Sequence, residues 1–347
     1  NKVYFSIIDY KNERSWYNLC VSPEEIKEIA LDSSWYTLFI PEPQMQFTDF
    51  ASQTAMWQDI LITLLKNYVE KVYNNAKSRW MSHNVETAYL DSTHPNFEEE
   101  YRVLMHKEMF ANEDEAGFCR AINKLKEELT EGTFSQSIKI ANSSDFEALY
   151  IAGHLYQPLL YLNESAFKHQ EIGKLIEVKP VALNKGERDF VCDIQRFFDG
   201  NSAFFEGKAL YLLRNKSRKG IGFFDDSGFY PDFIVWLVVG EHQYVSFIDP
   251  KGITHLNGFS NSKVQLHKVI REEIEPGLHD ANITLNSYIV SNSELKDVKH
   301  WVDFPELDLT SKQKEFNEHH IYFQGDQKEK YIGLMLEDML ASPTIRV

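Results

Sequence analysis

Two apolar runs of strand length, residues 229–239 and 244–251, lie only four residues apart, and this constrains the fold more than any other feature of the chain. The gap from Gly240 to Gln243 is short enough for a hairpin, so the runs are expected to pair antiparallel. Both are apolar at successive rather than alternate positions, the pattern of central strands covered on each face. The exceptions sit at one end. Asp232 stands near the start of the first run, and the second closes on Asp249-Pro250-Lys251. Pairing Val239 with Tyr244 and counting back sets Asp232 opposite Lys251 and Ile234 opposite Asp249. Asp249 and Lys251, two residues apart, share a face. Asp232 and Asp249 then lie diagonally on that face, roughly 7 Å apart. A slip of one residue would send every side chain to the other face. Pro250 has no N–H, so pairing is expected to loosen where the acids lie and to free a carbonyl there.

The surrounding sequence alternates helical stretches with short apolar runs, the signature of α/β architecture. A helix is expected at 185–199, a strand at 209–215, a helix at 263–274, a strand at 283–291 and a helix near 293–301. Residues 143–347 therefore read as a mixed sheet flanked by helices. Residues 51–142 read as a helical domain. Met56, Ile60, Leu64 and Val72, with Leu61, Leu65, Tyr68 and Val69, recur at helical spacing over 51–81, and further helices are expected at 96–109 and 111–131. Residues 1–50 read as a small mixed unit: strands at 3–9 and 16–22, a helix at 23–31 capped by Ser22, then a break at Pro41 and Pro43.

A chain of 347 residues, 43% hydrophobic, is long enough for two domains with sizeable cores. Cys20, Cys119 and Cys192 are scattered and odd in number, which disfavours a disulfide framework or a zinc site and fits a reducing cytoplasm. Nothing reads as a membrane span or a secretory leader. The first residue is Asn1, so a piece of a longer protein is expected. A net charge of −16 argues against coating nucleic acid by bulk attraction, though one basic groove would still grip a phosphate backbone.

Two carboxylates and an ammonium at the end of a buried strand pair have no packing purpose. Hard oxygen donors of this kind suit magnesium rather than zinc. On the helix at 185–199, Phe190, Val191, Ile194, Phe197 and Phe198 mark the buried stripe, and Glu187 belongs to the same face. A glutamate there is costly unless paired or bound to metal. Taken alone it also reads as a helix-start acid, favoured by the helix dipole. Between helix and hairpin, residues 207–224 hold Lys208, Arg214, Lys216, Arg218 and Lys219 and no acid. They read either as a solvated loop or as phosphate contacts beside the acids. His319-His320 reads as a surface pair and His154 as a packing residue. No GxSxG elbow supports acyl transfer.

An acid on a helix, then Pro231-Asp232, then Asp249-Pro250-Lys251 resembles the PD-(D/E)xK nucleases. The runs 210–215, 220–224, 230–237 and 247–252 resemble the C-terminal portion of DEAD/DEAH-type helicase–nucleases, relatives of type III restriction enzyme subunits in bacterial defence systems. The likeness covers about residues 150–305 and, more weakly, the helical stretch at 51–81. It implies a restriction-endonuclease-like fold and Mg²⁺-dependent hydrolysis of DNA, with Mn²⁺ able to substitute. Asp232, Asp249 and the carbonyl of Pro250 would hold the metal, Glu187 a water or second metal, and Lys251 would orient the attacking water. It implies DNA as partner, together with a helicase or ATPase region. No GxxxxGK[ST] loop is present, so the motor of that family is missing from these residues. The competing expectation is a nuclease-like fold serving as a binding or assembly module.

Overall fold

A computed structural model of the chain describes residues 47–56, 58–59, 62 and 66. It also describes residues 90–341 except 92, 99, 109–114, 140–143, 152–153, 155–156, 218, 223–229, 257, 279, 299–300, 302–307 and 328–329. The chain divides into two compact units, Asn1–His83 and Asn84–Val347. In the first unit, residues 50–56 are helical, in line with the expected helix from 51; the elements expected at 3–31 lie outside the described residues. Among the described residues no helix is long and apolar enough to cross a membrane.

The second unit is built around a five-stranded mixed sheet. Its strands are β8 (Lys208–Arg214), β9 (Phe233–Val239), β10 (His242–Lys251), β11 (Ile283–Ser291) and β12 (Ile321–Phe323), in the order β12-β11-β10-β9-β8. β8, β9 and β10 pair antiparallel in succession, whereas β11 and β12 add in parallel beside β10. The continuous apolar runs have the cause expected: both faces are covered. On one face, helix α2 (Lys185–Gly200) lays Phe190, Val191 and Ile194 on Phe233, Val235 and Ile248, joined by Tyr331, Ile332 and Met335 of the late helix Lys330–Ala341. On the other, Val264 of helix α3 (Ser262–Val269) and Phe316 of helix α4 (Leu309–Glu318) pack with Ile289, Ile321 and Phe323. Phe190, Phe233 and Ile248 are fully buried. Truncating such a phenylalanine to alanine typically costs about 3–5 kcal/mol.

The first 120 or so residues of this unit hold several departures from expectation. Residues 96–109, expected as helix, instead contain strand β1 (Arg102–Met105), paired antiparallel with β7 (Ile176–Lys179). The helical propensity of Leu104 and Met105 yields to a partner some 70 residues away, a tertiary override invisible locally. Helix α1 (Glu115–Glu131) forms as expected and packs Phe118 and Leu125 on Phe146, Leu160 and Ile176. These come from a three-stranded sheet, β2 (Ile138–Lys139), β3 (Phe146–Leu149) and β4 (Leu159–Leu162), together with β7. β1 and β2 are thus strand-paired to segments beyond residue 142, within the same compact unit as the large sheet, so no boundary falls near 142. A half-buried ion pair ties the two parts: Arg188 on α2 donates to both carboxylate oxygens of Glu147 on β3, at 3.0 and 3.2 Å. The helix expected near 293–301 is a single short turn, Leu295–Asp297, and the helix from 263 continues past Val269 as a wider turn through Ile274.

Candidate active site

The hairpin turn decides how the acids meet. β9 and β10 are joined by two residues, Gly240 and Glu241, with Val239 paired to His242. Gly240 has φ +60°, the positive value a tight hairpin turn asks of its first central residue. The expected four-residue connection was too long, because the polar His242 and Gln243 belong to the strand. The register shifts by two residues, which keeps every side chain on its expected face. It changes the partners, however. The pairing runs to Ile248 opposite Phe233, and its next rung sets Asp232 across from Asp249, not Lys251. The rung beyond that would pair Pro231 with Pro250, neither of which has an N–H.

The two carboxyls lie within hydrogen-bonding reach of each other. Burial first, then the charge of Asp249, pushes the Asp232 carboxyl up to about 8. Lys251, on the same face two residues along, bonds to Asp249 Oδ2, and both side chains are largely buried. Burial lowers the proton affinity of Lys251, opposed by Asp249 and reinforced by a second ammonium, Lys263.

Glu187 reaches the strand ends from the opposite layer. It opens α2 in a capping box: Asn184 Oδ1 accepts from the Glu187 N–H, and Glu187 Oε2 accepts from the Asn184 N–H, both at 3.0 Å. The same oxygen faces Arg214 Nη2 at 3.3 Å. Burial raises its proton affinity, offset by Arg214, while the charge of Asp249 also bears on it. Glu187 is therefore both the helix-start acid and a neighbour of the aspartate pair.

The expected basic contacts scatter. Arg214 turns inward, donating to the carbonyls of Val181 and Ala182 as well as to Glu187. Lys208 sits at the far end of β8, paired with Val239, where it donates to the Phe204 carbonyl and covers that ring. Lys216 pairs with Glu98 at 2.9 Å. Lys219 is exposed, and Arg218 lies outside the described residues.

Two features escaped the sequence reading. Lys263 lines the same cleft as Asp249 from the first turn of α3. A cation in a first helical turn opposes the helix dipole, which is the signal that could have found it. His319 and His320 are not a surface pair. His320, at φ +58°, stacks between His267 and Tyr288 with centroids at 4.1 and 4.8 Å, and His319 stacks on Phe259. Their partners are remote in sequence, so burial could not be read locally. His154 packs against Phe198 and bonds to the Leu210 carbonyl, as a packing residue should.

The donors at the strand ends are all hard oxygens: two carboxylates in contact, the Pro250 carbonyl beside Asp249, and Glu187 if it leaves Arg214. Among the described residues, no three acidic, histidine or cysteine side chains already stand together in the manner of a metal cage. Two carboxylates plus a carbonyl still match the sparse protein ligation that magnesium accepts, water filling the rest. No family model matches the chain, and neither a curated protein nor a solved structure matches it.

Proposed function

We propose that the unit built around the five-stranded sheet is a PD-(D/E)xK-type nuclease domain that hydrolyses DNA with Mg²⁺, acting beside a helicase or ATPase partner in a restriction or defence system. One observation carries this reading. Asp232 and Asp249 are pressed together, largely buried, with Lys251 on the same face, an arrangement that costs stability and serves no packing role. The resemblance in the order of Glu187, Pro231-Asp232 and Asp249-Pro250-Lys251 supports the choice of chemistry.

The residues fit a magnesium ion, which Asp232, Asp249 and the Pro250 carbonyl would hold. When bound, such an ion lowers the pKa of its water and offsets charge on the phosphate. The chain's own groups do the rest. Lys251 holds a proton beside Asp249 and presents a fixed cation where negative charge grows. Arg214 opposes the effect of burial on the Glu187 carboxyl. Lys263 adds positive charge on the side of Lys251, drawing the phosphodiester toward the cleft.

A second reading has its own support: Glu187 is satisfied by Asn184 and Arg214, and Asp249 by Lys251, with no ion needed. That would suit a binding or assembly module. Titration calorimetry with MgCl₂ separates the two. A nuclease binds the ion in wild type and loses binding in Asp249→Ala. A module of the second kind shows no heat in either.

A further inference from the structure

Asp232 is held on one side only by the ladder one expects. Toward β10 the pairing stops at Phe233, because the next rungs meet the carboxyl pair and then two prolines. Toward β8 the rung is completed by Asn215, whose N–H donates to the Asp232 carbonyl at 2.8 Å. Asn215 is 7% exposed, and its side chain uses every bond an amide can make well. Nδ2 donates to the carbonyls of Pro231 at 2.9 Å and Ile221 at 2.6 Å. Oδ1 accepts from the Ile221 N–H at 2.9 Å and from Asn96 Nδ2 at 3.0 Å. Asn96, 4% exposed, lies 119 residues earlier and accepts in turn from the Lys216 N–H at 2.9 Å.

Four chain segments thus converge on one amide: Asn96, the end of β8, the glycine-bearing loop at Gly220–Ile221, and Pro231-Asp232. There is no slack in the arrangement. A Cβ at Gly220 would collide with Oδ1 of both asparagines, so only glycine admits the loop. The loop and the Asp232 arm therefore move as one piece or not at all.

We infer that Asn215, backed by Asn96, is a positioning residue that sets where the Asp232 carboxyl stands. The inference rests on the reading of Asp232 as a metal-holding acid. Asn215 touches neither substrate nor metal; it fixes the peptide groups on both sides of the Asp232 Cα, replacing the rungs that the prolines forfeit. Groups that orient a ligand in this way typically cost about 10–100-fold in metal affinity or activity when removed.

The test compares Asn215→Ala, Asn96→Ala and Gln327→Ala with wild type. Gln327 is as buried and bonds the Phe323 N–H at 2.7 Å in a separate network, so it reports general loss of stability. Mg²⁺ affinity by calorimetry, kcat and KM on plasmid DNA, and Tm are measured below the lowest melt. The expected result is a loss of about tenfold or more in Mg²⁺ affinity and kcat for both asparagine variants, with KM for DNA little changed. Gln327→Ala should lower Tm alone. Should Asn215→Ala not fold, Asn96→Ala decides, since Asn215 then keeps three of its four side-chain bonds. Wild-type affinity and kcat in a folded asparagine variant would overturn the inference, as would an equal loss in Gln327→Ala. A wild type that neither binds Mg²⁺ nor cleaves overturns the reading of Asp232 itself, a result distinct from both.

Discussion

Asp232 and Asp249 stand side by side one residue beyond the last rung between β9 and β10, close enough for one carboxyl to donate to the other. Burial and mutual repulsion keep a proton on the pair well above the pH at which free aspartates lose theirs. Without metal, such a pair is a weak point of the fold.

The first consequence concerns pH. Because the folded-state value of Asp232 is raised from 3.8 to about 8, its favourable contribution is complete below pH 4 and is lost as pH rises to 8. Asp232→Asn cannot ionise and should escape that loss. In EDTA, urea denaturation should show Asp232→Asn gaining on wild type between pH 5 and pH 8.5 by at least about 1.4 kcal/mol. An unchanged difference would mean that the carboxyls are apart in solution.

Lys251 is the counter-charge that makes Asp249 tolerable. Lys251→Met should lower apo stability at pH 8 by about 1–3 kcal/mol, less than the 3–5 typical of fully buried pairs because the ammonium is partly wet. Mg²⁺ should bind this variant at least as tightly as wild type and restore most of the melt, since a like charge has gone. Cleavage should fall below detection. Thermal melts with and without Mg²⁺ read out both effects.

Glu187 caps a helix beside the aspartate pair, and one substitution tests whether it has a second task. Glu187→Gln keeps a side chain able to cap Asn184 but loses the ion pair to Arg214. The expected stability loss is about 1 kcal/mol or less. Cleavage should nonetheless drop at least about tenfold, the loss typical of a displaced metal-site group. Unchanged kcat would leave Glu187 as a helix-start acid only.

Much of the site could be read in the sequence because its parts break local rules: acids and a lysine ending strands that are otherwise apolar on both faces. β11 was legible to the residue, and α2 to within one, for the same reason of strong patterning. The register was not, because His242 and Gln243 look like loop until Gly240 is known to turn at positive φ. Nor was Asn215, whose task depends on Asn96 more than a hundred residues earlier. β1 and the His319-His320 pair failed likewise, each decided by contacts remote along the chain.

The histidine stack supplies a prediction independent of catalysis. Burial, first of all, lowers His267 and His320 from 6.5 to about 4. His319, Lys268 and Arg271 face His320 and also disfavour its charge, while Asp338 stands 3.8 Å from its Nε2. A depressed folded-state value contributes stability above pH 6.5 that is lost as pH falls toward 4. His320→Asn tolerates the positive φ and cannot charge, so its deficit against wild type should shrink between pH 7.5 and pH 4.5. Urea denaturation at the two pH values checks this. A deficit that is constant or grows would show that His320 takes up a proton in the fold at least as readily as in the unfolded chain.

Cleavage of DNA is the most direct test of the whole reading. Supercoiled, nicked, linear and single-stranded DNA are incubated with the protein in Mg²⁺, in EDTA, and with Asp249→Asn in Mg²⁺. Wild type should cut at least one form in Mg²⁺ and none in EDTA, and Asp249→Asn should cut none. Equal cutting by Asp249→Asn, or no cutting of any of the four forms by wild type, would contradict the assignment of the aspartate pair as a nuclease centre.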